Sequence, residues 1–561
     1  MKTKETQAEA SIRLKHSSMD VQIGLPALLH PGGAYPEIEI TAAAEGTGTV
    51  QVIRLGDGGT ATAVPAVPLI ANEKTVIRSP GTAGAFGDYR IDVEIETAGR
   101  GRDIEHFYFT VAGEPKPYAS KAAFLGDEGG MTYAPDYRGN RSPDYSCAGY
   151  RGGGIAIPEV SVRVAIEPIP GDNTLHIQEA IDRLSLLPED DSGFRGALLL
   201  RRGVYEVAGP LQIASSGIVL RGEGQGDYKH FWYDPDSGWT LEELKAALAG
   251  REATVLIATG GVRRRLLRAQ GLEGGVRVKR PDTESRILDR YVPVGANSFR
   301  VERPEAFRVG DSIIVKRIGN AEWISEIGMD RIPPRGDGGA ITQWAPFDLE
   351  FEHVITAIEG DRITIDSSLV QAIEREWGGG TVVKFDDPGR IGGIGIENLR
   401  AIAYWRPNTD GVDDTRHADQ FLELDHLKNA WVKQVTAEHF TGTNGAFRTG
   451  RGSKWITIQD SSTLVPPKKF YNGNGYDPTG RTFYETNVYV GRYGFCLNGQ
   501  SALVQRCYAL NNRHGFTLGS RVTGPNVFLD CTGDERLTWS EPHHRWSVGG
   551  SMITCKTIFR S

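Results

Sequence analysis

The sequence predicts an all-β chain dominated by a coil of parallel strands, and three observations carry that expectation. An apolar strand start recurs at Phe421, Phe447, Phe495 and Phe516 and again near Trp546, at intervals of roughly two dozen residues with one interval about double. A second series, Trp431, Trp455, Leu503 and Val527, keeps step with the first. The runs themselves, such as Phe421-Leu-Glu-Leu and Trp455-Ile-Thr-Ile, alternate apolar and polar residues and are too short for helices. Two phased strands per repeat imply a parallel β-solenoid, each turn lying on the one before. The general rule for parallel crossovers makes it right-handed, a right-handed parallel β-helix.

Taken in order, the chain begins with a polar stretch, Met1-Lys-Thr-Lys-Glu-Thr-Gln, which lacks the apolar core of a signal peptide. The expectation is a secreted or periplasmic protein whose leader has been removed, with a cytosolic protein as the alternative. Residues 20–113 alternate cleanly, as in Glu37-Ile-Glu-Ile and His106-Phe-Tyr-Phe, and turns rich in Gly, Pro and Asp separate them. They read as an immunoglobulin-like β-sandwich acting as a cap or spacer. Residues 114–170, rich in Gly, Pro, Asp and Tyr, read as an ordered linker. From residue 171 to 561 the chain reads as the β-helix. Ile177, Ile181 and Leu184 at helical spacing, behind a cap near Asn173 or Thr174, predict a helix closing its first end. An insertion at about 284–370 interrupts the repeats. It includes strands around Phe307-Arg-Val-Gly and His353-Val-Ile-Thr, read as a small barrel, and a short helix at Ala321-Glu-Trp. The chain stops soon after Trp546 with no evident cap, so the expectation is a longer natural protein or a partner covering the last rung.

Composition narrows the classes. With 561 residues and 39% hydrophobic content the chain can bury more than one core, and its 70 glycines suit strands and tight turns. A net charge of −8 without a basic stripe argues against nucleic acid, and no apolar run approaches a membrane span. Five cysteines, an odd number, lie mostly in or beside strands and read as buried thiols rather than a disulfide framework.

Gly171-Asp-Asn-Thr, Ile177-Gln-Glu-Ala-Ile-Asp, Gly203-Val-Tyr, Val219-Leu-Arg-Gly-Glu-Gly and the later repeats give the chain a resemblance, over roughly residues 140–550, to the pectate-lyase-like superfamily of right-handed parallel β-helices. Within it, Pro143-Asp-Tyr-Ser, Gly524-Pro-Asn-Val-Phe-Leu-Asp-Cys and Pro542-His-His-Arg-Trp look like a group of large bacterial proteins usually labelled pectate-lyase-like. The resemblance implies a carbohydrate-active protein. It leaves lyase, hydrolase and non-catalytic adhesin open.

The repeats place the chemistry. Counting back two positions from successive strand starts gives Tyr493, His514 and His544, and counting back three gives Arg492, Arg513 and His543. In a stacked coil these predict two ladders with rungs about 4.8 Å apart. Such an edge suits β-elimination on a uronic-acid-containing polysaccharide: His514 or His544 as base, Arg513 or Arg545 holding the carboxylate, Tyr493 as acid. His543, Arg492, His439, Arg451 and His417, with Trp323, Trp344 and Arg335 of the insertion, are expected substrate contacts. Asp413, Asp414, Asp419, Glu423 and Asp425 have three readings. They supply the paired carboxylates of a glycoside hydrolase, they ligate Ca2+, or they are solvated turn residues. A tail-spike-like glycan-binding adhesin is the reading without catalysis.

Overall fold

The computed structural model describes residues 11–15, 19–24, 28–55, 59–97, 101–112, 120, 122–125, 131–234, 237–334, 341–404, 417–442, 444–465, 493–536 and 540–559. They are mostly strand with a few short helices, and they divide into two compact units. One comprises Met1–Asp144, Thr283–Asp348 and His353–Val382; the other comprises Tyr145–Asp282, Leu349–Glu352 and Val383–Ser561.

In the first unit, Ser11–Lys15, Met19–Gly24, Glu37–Ala42 and Lys74–Arg78 make one antiparallel sheet. Gly46–Arg54, Thr60–Leu69, Gly87–Thr97 and Gly101–Val111 pair antiparallel in a second. Alternation in the sequence becomes alternation in burial, because successive side chains of a strand point to opposite faces. Ile38 and Ile40 are fully buried while Glu37 is exposed. Val21, Ile38, Val50, Ile91, Phe107 and Phe109 share the core between the sheets. The same unit holds antiparallel strands of the insertion, Ser298–Arg300 with Arg362–Ile365, and the antiparallel bridge between Ile287 and Val301 joins the first of these strands back to the segment that opens with Ser285–Arg286, in keeping with the small barrel expected.

The second unit is a stack of parallel strands. Each late turn contributes three of them: Gln500–Gln505, Tyr508–Leu510 and His514–Leu518, then Thr523–Leu529, Thr532–Arg536 and Glu541–Pro542. All three pair in parallel with their counterparts one turn on. The expectation of two strands per turn is therefore corrected to three. The first two read as one strand in the sequence because a single left-handed residue makes the corner between them: Asn398, Gln434, Asp460, Arg506, Asp530 and Thr554 hold φ between 50° and 54° there. A single left-handed residue turns the chain without a visible loop, and Asn and Asp tolerate that conformation better than most.

The stack also starts earlier than residue 171. Val162–Ile166, inside the segment read as linker, already pairs in parallel with Gly196–Leu200. Helix Thr174–Ser185 buries Ile177, Ala180, Ile181 and Leu184 against the first turns, and Asp172 Oδ1 caps it by accepting from Thr174 N at 2.9 Å. The stack is left after Gln270 and resumes at Ile391, so the interruption is wider than 284–370. Across it Arg268 still stands opposite Glu423.

Inside, Phe447, Phe495 and Phe516 occupy one register column with rings stacked at 4.8 and 5.2 Å. Phe421, expected in the same column, is one residue out of register. Leu422 stands opposite Phe447, and Phe421 meets that ring edge-on at 5.4 Å. Cys507 and Cys531 are buried and, with Cys555, unbridged.

Candidate active site at the last turns of the stack

The third strand of each turn builds the sheet that carries the site. Phe447, Phe495 and Phe516 face inward from it, so the residues that follow them face the other way. One register line on that outer face runs Gln212, Arg268, Glu423, Arg448, Cys496, Thr517, Glu541. At the spacing of neighbouring strands, Arg268 and Glu541 are about 24 Å apart along it.

Its first end is cationic. A cavity of 820 Å³ beside the helix is lined by Arg263, Arg264, Arg265 and Arg268 together with Gln178 and Gln212. Glu423, itself buried, receives Arg265 at 2.7 Å, Arg268 at 3.1 Å and Arg448. Three guanidiniums against one carboxylate leave positive charge in excess, and Arg265 and Arg268 remain partly exposed.

Its other end holds the histidine cluster. Tyr493 and His514 begin adjacent strands in register, and their rings stack at 4.9 Å. His543 lies 4.0 Å from the His514 ring and 5.5 Å from Tyr493, and His544 follows at 4.6 Å from His543. Arg513 Cζ is 5.9 Å from the Tyr493 ring. Thr517 stands opposite Glu541, whose Oε1 is 3.4 Å from His543 Nδ1.

This corrects the expected ladders. Trp546 begins no strand; it sits in a turn with φ 50°, and the last turn enters the sheet at Glu541 instead. The third ring beside Tyr493 and His514 is therefore His543, not His544. An offset of two from an inward phenylalanine is itself an inward position, so Tyr493 is only 6% exposed and His514 1%. Burial at this level removes both from direct contact with a polymer, and the roles of acid for Tyr493 and base for His514 go with it. His544 is exposed, while His543 and Arg545 are half-buried.

The electrostatics of the cluster favour neutral imidazole. Partial burial pushes the His543 pKa down, and the Arg513 charge adds to this against the opposing pull of Glu541. His544, though exposed, is partly desolvated by its neighbours, and this lowers its pKa first, the charges of His543, Arg545 and Arg513 adding to it. Arg451 donates to the Ser520 carbonyl at 2.9 Å, and Arg521 feels the charges of Arg545 and Arg451. His543 and His544 are thus biased toward the uncharged form beside several guanidiniums.

Other expected site residues lie elsewhere. His439 is fully buried, its Nε2 donates to the Tyr233 carbonyl at 2.7 Å, and it stacks on Phe231; it is a packing residue, not a substrate contact. His417 is buried with Nδ1 on the Ala418 carbonyl at 2.9 Å. Trp323 and Trp344 belong to the first unit, 6.2 Å apart, with Arg317 over Trp323 at 4.3 Å. Asp419 pairs with Arg263, Glu423 with its three arginines, and Asp425 Oδ1 accepts from His426 N and Gly452 N. Each of the three thus already commits an oxygen to a cation or to backbone donors, which competes with Ca2+ for it. Arg335, Asp413, Asp414 and Arg492 lie outside the described residues. Sequence reasoning passes over Arg263, Arg265, Arg268, Arg448 and Arg521, and gives no role to Glu541, a chargeable residue beside the histidines. The run Arg263-Arg-Arg was visible, but only the register links it to the histidines.

No protein-family model matches the sequence, and no curated protein matches it. Among solved structures it is similar to the tailspike protein gp49 from Pseudomonas phage LKA1, at 12% identity over 68% of this chain and 52% of that one, TM-score 0.34. It is also similar to the gp54 tailspike of Acinetobacter baumannii bacteriophage AP22 in complex with A. baumannii capsular saccharide, at 10% identity over 70% of this chain and 56% of that one, TM-score 0.27. A third is an iota-carrageenase complexed to iota-carrageenan fragments, at 11% identity over 68% and 56%, TM-score 0.23. The chain spans about half the length of these tailspikes.

Proposed function

We propose that the second unit is a right-handed parallel β-helix of the pectate-lyase-like kind whose last turns cleave a uronic-acid-containing polysaccharide by β-elimination. On this reading the chain is secreted or periplasmic, and residues 20–113 form an immunoglobulin-like cap or spacer. The observation that carries the activity is His544: an exposed imidazole held neutral by its surroundings, beside Arg545 and within the field of Arg513. Elimination needs this pairing of an uncharged base with cations.

Arg545, with Arg521 and Arg451, neutralises the uronate carboxylate and so stabilises the enediolate that develops when the α-proton leaves. His544 takes that proton. As the bond from the β-carbon to the glycosidic oxygen breaks and the carbon–carbon double bond forms, the imidazolium returns the proton to the departing oxygen on the same face. The arginine-lined cavity at the other end of the register line supplies further affinity for an acidic chain. A hydrolase built on Asp419, Glu423 or Asp425 is disfavoured, since each already commits an oxygen to an arginine or to backbone N–H groups.

The test is a panel of acidic and neutral polysaccharides followed by the ultraviolet absorbance of an unsaturated uronate and by reducing ends. Elimination gives both signals, hydrolysis only the second, and a binding protein neither. His544→Ala and Arg545→Ala should each lower the rate by roughly two to four powers of ten with the fold intact. Full activity in both variants would overturn the assignment.

A further inference from the structure

Beneath His544, the structure assigns a second role to the cluster: we infer that His514, Glu541 and His543 form a binding site for a divalent transition-metal ion of zinc-like chemistry. One ligand atom from each lies within 4.8 Å of the other two. An ion bound tetrahedrally at zinc–nitrogen and zinc–oxygen distances holds its ligand atoms about 3.4 Å apart. Glu541 Oε1 and His543 Nδ1 are already separated by 3.4 Å, so side-chain rotation toward His514 closes the site.

The donor set fits that chemistry. Two imidazoles and one carboxylate form a borderline-soft set suited to zinc rather than to calcium or magnesium, which take oxygen. Three protein ligands leave a fourth position for water or substrate. That position faces solvent, because the side chains of Glu541 and His543 are 40% and 21% exposed while His514 forms the buried floor. The ligands are also pre-positioned by the fold. His514 begins a strand locked in register and stacked on Tyr493, and Glu541 begins the next strand of the same sheet, opposite Thr517. A site on paired strands holds its geometry better than one on loops.

Nearby positive charge is the opposing influence. The Arg513 guanidinium acts on His543 electrostatically, and its charge weakens attraction for a cation. Glu541 offsets one unit of it, which makes this a site of moderate affinity. Its place next to His544, whose ring is 4.6 Å from His543, would put a bound ion where it can meet the same substrate. The metal inference stands on the ligand geometry and does not require the lyase reading.

Tag-free, chelator-stripped full-length protein is titrated with Zn2+ by calorimetry and with Co2+ by visible spectroscopy. The expected result is one Zn2+ per chain and a Co2+ spectrum of tetrahedral intensity. His543→Ala and Glu541→Gln should each weaken Zn2+ by more than the roughly 10–100-fold that loss of an outer-shell partner costs. Both residues are partly exposed, so unchanged thermal melts of the metal-free variants separate loss of ligand from loss of fold. His544→Ala should retain Zn2+ affinity within a few-fold. Absence of stoichiometric Zn2+ binding, or binding unchanged in both ligand variants, overturns the inference. The readout is affinity, so an inactive protein that binds one Zn2+ refutes the lyase reading while leaving the metal site standing.

Discussion

Glu438→Gln probes what fastens the loop around residues 225–233 to the second unit. Glu438 and Arg400 are both fully buried. Glu438 Oε2 accepts from Arg400 Nε at 2.7 Å, and its Oε1 accepts from Trp232 N and Tyr233 N, each at 2.8 Å. Arg400 in turn donates to the carbonyls of Gln225, Asp227 and His230, at 3.2, 2.8 and 2.6 Å. Glutamine keeps one acceptor but sets an amide N–H2 against the guanidinium or the two backbone donors. It also leaves the buried Arg400 charge uncompensated. Breaking a buried pair from one side costs about 3–5 kcal/mol. Denaturant unfolding of the second unit should show that loss, and limited proteolysis should open new cuts in 225–240. Replacing both partners with apolar residues should recover part of it, since an apolar pair carries no uncompensated charge. If Glu438→Gln unfolds within about 1 kcal/mol of the parent, the pair is solvated and the argument fails.

Phe495→Ala removes a fully buried ring stacked on both faces, and should cost about 3–5 kcal/mol by the same unfolding measurement. A loss under 1 kcal/mol would show the phenylalanine column to be loose. Glu352 gives a pH dependence. Burial alone would raise its pKa, but hydrogen bonds and charge from Arg390, at 2.7 and 2.8 Å, outweigh it and hold the group at about 2. Its contribution, roughly 3 kcal/mol, is present above the unfolded value near 4.3 and lost as pH falls toward 2. Glu352→Gln should therefore flatten the acid limb of stability against pH, and an unchanged limb would contradict the depressed pKa.

Much of the second unit was legible because burial and sequence period coincide in a parallel strand. The phenylalanine column at 447, 495 and 516 follows from counting two dozen residues, and helix Thr174–Ser185 follows from Ile177, Ile181 and Leu184. What the sequence hid were one-residue events. A left-handed Asp460 or Asp530 splits a strand in two without a turn signature, and the single-residue slip between Phe421 and Leu422 moves a ring out of its column. The widened interruption was hidden for a different reason. Its strands carry the same alternation as the stack, and only their antiparallel pairing tells them apart.

At the site, parity decides which way a side chain points, and burial decides its role. Chargeable residues at a constant offset from a phenylalanine look like one surface in sequence. Yet an even offset shares the inward side of the strand, and an odd offset takes the outward side. Tyr493 and His514 are even and buried, and Arg513 and Thr517, though odd, are buried as well. His543 and His544 escape that rule because Glu541–Pro542 has already ended the last strand when they arrive. The cluster is therefore graded rather than laddered: a buried tyrosine–histidine floor, half-buried Glu541 and His543 above it, and an exposed His544 among arginines. A group at the floor can orient or ligate but cannot meet a polymer, and the exposed group can take a proton from one. On the proposed reading that division gives metal ligation and proton abstraction to different histidines, so His543→Ala and His544→Ala should fail in separable ways.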